Sequence, residues 1–477
     1  MDLSVSKKDV IWSYLGTAMS LGGNFILLPF LMYYLDSATL GLWYVYLSVG
    51  GIVILFDFGF NPTFARNIAY CWNGTSRLTK TEAEFSEKHE PNISLMKIII
   101  RTCESIYLIV STLALMILLS IGTMYILNIS EEINKSITIY SWLIYCAAVF
   151  FNLYYGYYAT FLRGVGAISQ YNKVTIVSRI TQIILSIVLL YMGFDLLGVS
   201  IGYMVYGLLL RFLSKQTFYK YKNMGILIKE DTTAVTKSDV SSMFKTMWHN
   251  AWRDGLVSIA NYLANQASIF IASMYFSLTI TGIYSVSIQF VTAIATISGS
   301  LYNAYQPSLQ AAYVKNDVKE SKRLMSISMT VYSIMFVSGV ILLIFIGIPL
   351  ITLIKSNMVF DIPLLLAISL YTFLLKNHAF YASFISNTNR VPYTMAFVLS
   401  SFLSVVIALL VLNFTTLGIW GLILSQIGVQ LFYNNWKWPK VVMIELNTNQ
   451  REMFEMGWKE VKKVFQIYSK KLKKDKV

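Results

Sequence analysis

Residues 105–127, SIYLIVSTLALMILLSIGTMYIL, form an apolar run without a single charged side chain. An α-helix needs about 20 apolar residues to cross the roughly 30 Å hydrocarbon core of a bilayer. A membrane β-strand would instead alternate apolar and polar residues over about 10 positions. The run therefore predicts a transmembrane helix, and similar runs recur on both sides of it.

Twelve stretches of this kind follow one another between Asp9 and Trp436. Only 13% of the residues are charged and the mean hydropathy is +0.59, values outside the range of soluble proteins. The sequence therefore predicts an all-α membrane protein with twelve transmembrane helices. The predicted spans are residues 10–34, 41–60, 105–127, 138–160, 174–193, 197–213, 254–276, 282–304, 327–353, 363–386, 393–412 and 416–434.

The positive charges alternate across the predicted membrane. The chain carries 38 Lys and Arg against 24 Asp and Glu, a formal net charge of +14. With a cytoplasmic N-terminus, 35 of the 38 lie on the cytoplasmic side, in loops or near the cytoplasmic ends of spans, and only Lys135, Lys355 and the intramembrane Lys376 do not. This distribution follows the positive-inside rule and predicts that both termini are cytoplasmic. The basic excess thus marks topology, and no nucleic-acid partner is expected.

The two halves of the chain resemble each other at a fixed offset of 241 residues. The offset places the first predicted span on the seventh, and the start of the second span on the start of the eighth. Copies with an even number of spans point the same way through the membrane, so we expect two similar six-helix bundles. The matched pairs are Ser13 with Asp254, Thr17 with Ser258, Ser20 with Asn261, Asn24 with Asn265, Tyr34 with Tyr275 and Gly41 with Gly282.

Two long polar stretches and a basic tail set the predicted domain boundaries. We expect an N-terminal six-helix bundle over residues 1–214, a cytoplasmic linker over 215–250, a C-terminal six-helix bundle over 251–436 and a cytoplasmic tail over 437–477. The tail is basic and amphipathic, which predicts a helix on the cytoplasmic membrane surface, with a solvated tail as the alternative. Its apolar residues recur in helical steps at Phe454, Trp458, Val461, Phe465 and Tyr468.

Polar residues in steps of four, three and four lie on one face of the first helix of each predicted half. Lipid cannot satisfy such groups, so this face meets protein or water. The stripes either join helix to helix or line a shared central cavity, and their presence in both halves favours the cavity. The candidate cavity residues from the stripes are Asn24, Asp254, Asn261 and Asn265.

Ionisable residues inside membrane spans carry a high energetic cost and mark candidate functional sites. Lys376 lies about 15 Å from the cytoplasmic end of the tenth predicted span, with His378 beside it. A structural ion pair is the alternative for Lys376. Asp57, Arg179 and Arg253 lie nearer the cytoplasmic surface, where snorkelling or helix capping would also explain them. Cationic groups in a cavity would suit an anionic headgroup such as a phosphate or pyrophosphate.

The sequence carries no residue set typical of an enzyme or an ATP-driven pump. It has no Gly-rich loop ending in Gly-Lys-Ser or Gly-Lys-Thr, so ATP hydrolysis by that route is not expected. The three histidines, His89, His249 and His378, have no metal-ligand companion at a suitable spacing. We therefore expect no catalytic activity, no bound metal and no cofactor.

Several short blocks accompany the six-plus-six layout. They are Leu40-Gly41-Leu42-Trp43-Tyr44, Asp57-Phe58-Gly59-Phe60 with Ala65-Arg66, and Gly282-Ile283-Tyr284 with Pro307. With these blocks the chain resembles the polysaccharide flippases of the multidrug/oligosaccharidyl-lipid/polysaccharide exporter superfamily, the O-antigen (Wzx-type) and teichoic-acid-type translocases. The resemblance extends over nearly the whole length of the chain.

The resemblance implies a multi-pass protein of the bacterial cytoplasmic membrane that works by alternating access. Its substrate would be an undecaprenyl-pyrophosphate-linked oligosaccharide for O-antigen, capsule or a similar surface polysaccharide. The sugar and pyrophosphate would pass through a polar, cationic cavity while the lipid tail stays in the bilayer. The partners implied are the glycosyltransferases and the polysaccharide polymerase of the same pathway.

Three other functions compete with this interpretation. A cation-coupled multidrug antiporter of the same superfamily would need an acidic residue buried within one bundle. Only Asp57 and Glu104 come near to meeting this requirement, and both are close to the ends of spans. A major-facilitator carrier would show Asp-Arg with paired basic residues in a short loop after the second span, which this chain lacks. A polymerase or membrane glycosyltransferase would be expected to carry a large external loop, whereas the longest predicted one runs from about Ile129 to Ser136.

Overall fold

A computed structural model of the protein describes residues 7–57, 59–78, 83–85, 90–314, 317–354, 358–386 and 393–474. Nearly all of these residues are helical, as predicted. The chain forms two compact units, which we call unit 1 (Met1–Gly282) and unit 2 (Ile283–Val477).

Unit 1 holds a row of helices and one short hairpin. A π-helical turn, Leu118–Gly122, joins α4 to α5, and a 3₁₀ turn, Tyr221–Asn223, joins α9 to α10. The elements are α1 (Lys7–Tyr34), α2 (Ser37–Leu55), α3 (Phe60–Trp72), β1 (Thr75–Leu78), β2 (Ala83–Phe85), α4 (Ile93–Ile117), α5 (Thr123–Ile129), α6 (Lys135–Tyr154), α7 (Tyr157–Gly164), α8 (Ile168–Tyr191), α9 (Asp195–Lys220), α10 (Met224–Glu230), α11 (Lys237–Asn265) and α12 (Ala267–Tyr275).

Unit 2 begins within α13 (Leu278–Ser298), which crosses the boundary between the units. Two further π-helical turns, Leu343–Gly347 and Gln430–Asn434, join α15 to α16 and α19 to α20. The remaining helices are α14 (Ser300–Val314), α15 (Val318–Leu342), α16 (Ile348–Ile354), α17 (Ile362–Ser386), α18 (Tyr393–Phe414), α19 (Ile419–Val429), α20 (Asn435–Glu445) and α21 (Gln450–Lys474).

Eight helical stretches within the described residues are long and apolar enough to cross a membrane, and Ser37–Val53 is a shorter apolar helix. The other predicted spans coincide with α1, with α11 and α12, and with α19 and the π-turn Gln430–Asn434. The predicted residues 41–60 are not one helix, because α2 ends at Leu55 and α3 starts at Phe60. The count of twelve and the cytoplasmic location of the termini stay predictions.

The break between α2 and α3 depends on glycine. Gly59 has φ 72°, the left-handed region that glycine enters without steric penalty, and it directly precedes the first residue of α3. The turn brings the aromatic side chains of α3 onto α4, α7 and α11. There Phe60, Phe64, Phe161 and Phe218 form the centre of a buried cluster.

The same helical pattern occurs once in each half of the chain. A 25-residue helix, a five-residue π-turn and a seven-residue helix run from Ile93 to Ile129, and again from Val318 to Ile354. Each pattern starts from a capping side chain, Asn92 in the first and Asp317 in the second. Matching lengths in the third predicted helix of both halves are what an internal duplication produces.

The long helix that begins at Lys237 is interrupted where it meets α2. Thr236 and Asp239 form a capping box at its start, and Gln266, with φ −120°, separates α11 from α12. The carbonyl of Gln266 accepts a hydrogen bond of 3.1 Å from the N–H of Ile269 and one of 3.0 Å from Ser48 Oγ. Tyr262 Oη donates to the Ser48 carbonyl at 3.1 Å. The break is thus stabilised from α2, as buried backbone groups in a membrane protein require.

Candidate functional site

Asp57 lies between α2 and α3 with both carboxylate oxygens engaged. Tyr107 Oη of α4 donates to Oδ1, and the backbone N–H of Asn61 donates to Oδ2 at 3.1 Å. Asn61 is the second residue of α3, so the carboxylate caps this helix and complements the positive end of its dipole. The geometry gives Asp57 a structural task at the α2–α3 break.

Arg179 projects from α8 onto aromatic and amide groups. Its Nη1 donates to Gln182 Oε1 at 2.7 Å, and its guanidinium lies 4.5 Å from the centre of the Tyr206 ring on α9. The side chain also runs along α1, because a Cβ added at Gly23 would lie 2.7 Å from Arg179 Cδ. Arg179 is therefore held between helices and does not extend freely towards the surface.

Arg211 of α9 lies in the same region and was not singled out by the sequence analysis. Its guanidinium lies within electrostatic range of the hydroxyl groups of Tyr107, Tyr171, Tyr203 and Tyr206. Among the described residues, no carboxylate forms an ion pair with Arg211, and its buried Nε has no hydrogen-bond partner. A guanidinium with spare donors among neutral hydroxyl groups is suited to receive an anion.

Arg179 and Arg211 belong to one cluster. Tyr203 interacts electrostatically with both guanidinium groups and with Tyr206. We call the five residues Arg179, Arg211, Tyr171, Tyr203 and Tyr206 the arginine–tyrosine cluster. Close by, the side-chain oxygen of Asn152 is buried without a hydrogen-bond partner and faces the Cα of Gly207 on α9. Inside unit 1 the sequence thus places two cations and several hydroxyl groups together.

Lys376 in unit 2 is half-buried on α17, a helix that is long and apolar enough to cross a membrane. Among the described residues, no carboxylate forms an ion pair with it. His378 is two residues further on, and two residues turn an α-helix by about 200°. Its ring is 4% exposed and lies 5.9 Å from the ring of Phe397 on α18. The two predicted site residues therefore face different sides of α17.

A row of amide side chains begins at Asn377, the residue after Lys376, and reaches the end of the last predicted span. Asn377 Nδ2 donates to Asn435 Oδ1 at 3.4 Å, and Asn435 Nδ2 donates to the carbonyl of Gln430 at 3.2 Å. Asn434 donates to Ser400 Oγ of α18 at 2.8 Å and accepts from Trp438 Nε1 at 3.1 Å. The row follows the π-turn Gln430–Asn434, and such turns are frequent at functional sites.

The predicted polar stripes are described only in part. Asn261 and Asn265 on α11 are exposed, and each Nδ2 donates to a carbonyl one turn earlier, Val257 at 3.0 Å and Asn261 at 2.9 Å. The side chains of Asn24, Arg253 and Asp254 lie outside the described part of the structure, although α1 and α11 themselves are described. Their assignment to a cavity stays a prediction.

The sequence contains a signal for the two groups of residues that were not predicted, Arg211 and the amides of the last span. Arg211 falls inside the predicted span 197–213, but its position near the end made it resemble a flanking charge. Three amides, Gln430, Asn434 and Asn435, stand within six residues at the end of the last predicted span. Amides within or beside an apolar run were the available signal, since lipid does not satisfy them.

Solved structures resemble this architecture, whereas no protein-family model and no curated protein sequence match the chain. A multidrug resistance MATE family transporter of the MOP superfamily, inward-facing, matches with a TM-score of 0.65 and 12% identity over 92% of this chain and 99% of its own. An outward-facing structure of a multidrug resistance MATE family transporter of the MOP superfamily matches with a TM-score of 0.57 and 13% identity, over 92% of this chain and 96% of its own. The chain has the fold of a MATE transporter.

A third match, the MATE multidrug transporter DinF-BH in a ligand complex, has a TM-score of 0.59 and 14% identity, over 95% of this chain and 97% of its own. At such identities the likeness concerns the fold and not the substrate. The neighbours are transporters rather than enzymes. Together with the apolar helices, they identify a multi-pass membrane protein.

Proposed function

We propose that the protein flips an undecaprenyl-pyrophosphate-linked oligosaccharide from the inner to the outer leaflet of the bacterial cytoplasmic membrane. The observation that carries the proposal is the sign of the charges inside the helices. Arg179, Arg211 and Lys376 are cationic, whereas the carboxylate of Asp57 is engaged by Tyr107 and Asn61. A transporter for an anionic headgroup needs this balance, and one for organic cations needs the opposite one.

The arginine–tyrosine cluster has the donors that a pyrophosphate accepts. A guanidinium offers parallel N–H groups that match two phosphate oxygens, and Arg211 has a buried donor without a protein partner. Tyrosine hydroxyl groups both donate and accept, so they also suit sugar hydroxyls. An arginine kept within a membrane helix carries an energetic cost, which binding of an anion would offset.

Lys376 and the amide row supply a second polar region, in unit 2. A lysine is a compact charge whose three donors do not impose a planar geometry. The amide groups of Asn377, Asn435 and Gln430 both donate and accept hydrogen bonds, so they can bind sugar hydroxyls without a net charge. We assign the phosphate-binding task to the cations and the sugar-binding task to the amides.

Alternating access would move these regions between the two membrane faces. The similar solved structures include an inward-facing and an outward-facing conformation of a transporter with this fold. We extend that cycle to this chain and expect no catalytic step. The substrate would come from membrane glycosyltransferases and would pass to a polysaccharide polymerase.

The test is a leaflet-transfer assay with the purified protein in liposomes. An undecaprenyl-pyrophosphate oligosaccharide is placed in one leaflet, and its arrival in the other is followed with a sugar-modifying enzyme added outside. Export of a cationic dye is measured in the same preparation. Transfer of the lipid-linked sugar without dye export supports the proposal. Dye export without sugar transfer contradicts it.

A cation-coupled multidrug antiporter is the second candidate, favoured by the structural neighbours, which are multidrug transporters. That function would have to use a carboxylate between the helices, such as Asp57. Replacement of Asp57 by Asn should then abolish dye export. The flippase proposal instead predicts sugar transfer that continues in the Asp57→Asn variant.

A further inference from the structure

The C-terminal helix α21 uses two neighbouring faces for different purposes. One face packs on α15: a Cβ added at Gly457 would lie 2.1 Å from Thr330 Oγ1 and 2.4 Å from the Ser326 carbonyl. Met453, one turn earlier on the same face, is 3% exposed. The close helix approach at Gly457 means that α21 is built to fit this part of α15.

Ion pairs hold α21 to α15 on both sides of Gly457. Lys322 Nζ lies 3.3 Å from Glu452 Oε2, and Arg323 Nη1 lies 3.3 Å from Glu460 Oε2. From Ser321 to Thr330, every residue of α15 is buried except the two basic ones in these pairs. The tail helix therefore contributes to the packing of α15 and is not a loose appendage.

The second face of α21 is apolar and exposed. Phe454 is 51% exposed and Trp458 is 41% exposed, and they stand one helical turn apart. Lys459 and Lys462 are exposed beside them, and Lys462 Nζ lies 5.5 Å from the centre of the Trp458 ring. Lys463 is exposed as well, but it points away from the aromatic rings and its Nζ lies 2.7 Å from Glu460 Oε1. Exposed aromatic residues flanked by lysines are typical of a helix that lies in a membrane interface.

The angle between the two faces of α21 suits a helix that lies in the plane of the membrane beside a helix that spans it. The side of α21 that faces α15 is centred on Met453 and Gly457. Because an α-helix turns by about 100° per residue, the side that carries Phe454 and Trp458 lies about 100° further round the helix. A helix in the membrane plane that abuts a spanning helix needs its contact and lipid-facing sides roughly at right angles. Three residues of α15 itself, Lys322, Ser326 and Thr330, mark the level of contact, within the first half of that helix.

The length of α15 places this contact at the membrane surface. Together with the π-turn and α16, α15 forms a helical stretch of 36 residues from Val318 to Leu353, or about 54 Å, against a hydrocarbon core of about 30 Å. The polar beginning, with Glu320, Lys322 and Arg323, therefore projects beyond the core. The point at which Gly457 meets α15 follows directly after it.

We propose that α21 lies in the cytoplasmic membrane interface as a brace for α15, with Lys459 and Lys462 on anionic lipid headgroups. The occupant of the exposed face is the lipid surface, because two exposed lysines beside two aromatic rings complement the negative charge of the cytoplasmic leaflet. Loss of the lipid contact loosens the packing of α15, so leaflet charge controls a membrane-spanning helix. This inference does not depend on the substrate of transport.

The test labels two neighbouring positions of the full protein in nanodiscs. The native cysteines, Cys71, Cys103 and Cys146, are buried. An environment-sensitive fluorophore on Phe454→Cys should be quenched by brominated lipid, whereas the same label on Glu455→Cys, about 100° away, should be quenched by aqueous iodide. Phosphatidylglycerol added to phosphatidylcholine should increase the lipid quenching at position 454.

Charge variants identify the lipid contact. Replacement of Lys459 and Lys462 by Gln should weaken the phosphatidylglycerol dependence about tenfold or more, since each lysine near an anionic surface contributes about fivefold in affinity. The matched control replaces two other exposed lysines, at positions 229 and 245, and should leave the response unchanged. An iodide-accessible label at position 454 in both lipids, or equal responses of the two double variants, would overturn the proposal. If the label at position 454 is shielded from iodide only in native membranes, the exposed face binds a protein partner, and this result would also overturn the proposal.

Discussion

Gly41 and Gly282 lie against each other, backbone to backbone, although 241 residues separate them. A Cβ added at Gly41 would lie 2.1 Å from the Leu278 carbonyl oxygen and 3.1 Å from the N of Gly282. A Cβ added at Gly282 would lie 2.6 Å from the Ser37 carbonyl oxygen and 3.1 Å from the N of Gly41. Ser37 and Leu278 are themselves one offset apart, so the contact is reciprocal, as in a two-fold symmetric interface.

This contact predicts that alanine is not tolerated at either glycine. Gly41→Ala and Gly282→Ala each place a methyl group against a backbone carbonyl that cannot move aside, so each should cost about 1–3 kcal/mol of stability. The measurement is thermal unfolding of the purified protein, followed by tryptophan fluorescence. Gly428→Ala is the control, because nothing lies within 4 Å of its added Cβ. Equal effects at all three positions would contradict the close approach.

The arginine–tyrosine cluster predicts a charge requirement for transport at Arg211. Arg211→Gln removes charge-assisted hydrogen bonds worth about 1.5–3 kcal/mol, so lipid-linked sugar transfer should fall about tenfold to a hundredfold. Arg211→Lys keeps the charge but loses the planar geometry, and should retain part of the activity. Lys135→Gln, on an exposed residue, is the matched charge control. Full transfer by the Gln variant would remove Arg211 from the site.

Asp57 should behave as a helix cap. Asp57→Asn retains an oxygen that can accept from Tyr107 or from the N–H of Asn61, whereas Asp57→Ala loses both bonds and should cost about 1 kcal/mol. We therefore expect a lower unfolding temperature for the Ala variant and sugar transfer close to normal for the Asn variant. Loss of transfer in the Asn variant at unchanged stability would instead show that the carboxylate charge itself is needed.

The loop after α10 should loosen in acid. The hydrogen bond from Ser94 Oγ, at 2.5 Å, lowers the pKa of Asp231, and Thr233 and Lys97 lower it further. A lowered pKa in the folded state gives stability above the ordinary pKa of about 4, and this stability is lost as the pH falls through the folded value. Thermal unfolding measured between about pH 6 and pH 3 should show a decline that Asp231→Asn reduces. Glu131→Gln, at an exposed carboxylate, should leave the decline intact.

Gly457 should determine whether the tail helix stays on α15. In Gly457→Leu the added side chain meets Thr330 and Ser326, so α21 should detach and hydrogen exchange should increase in both helices. Met456→Leu is a volume-conserving change next to it and serves as the control. Unchanged exchange in the Gly457 variant would show that α21 packs elsewhere.

Sequence reasoning predicted the helical membrane fold because long apolar runs are determined locally. Lys376 stands out for the same reason, because it is a single charge within such a run, and its place in a binding site stays a prediction. The reciprocal Gly41–Gly282 contact, at the predicted offset, supports the internal similarity. These features depend on composition and order along the chain, which the sequence states directly.

What the sequence could not predict depends on contacts between distant segments. The break at Gln266 is stabilised by Ser48 and Tyr262, and no local signal at Gln266 ends a helix. The hairpin of β1 and β2 is short and polar, so it lacks the alternation by which strands are predicted. Arg211 became a candidate only when α9 placed it among tyrosines from other helices.

The π-turns after α4 and α15 change the direction in which the side chains of the following helices, α5 and α16, point. One extra residue in a turn rotates the following helix by about 100° relative to an uninterrupted one. Tyr125 of α5 consequently meets Ser273 of α12, with 2.6 Å between the hydroxyl oxygens. A helical wheel drawn from Ile93 or from Val318 through the whole span therefore assigns the wrong neighbours to its last seven residues. Substitutions in Thr123–Ile129 and Ile348–Ile354 are best chosen by counting from the far end of the span.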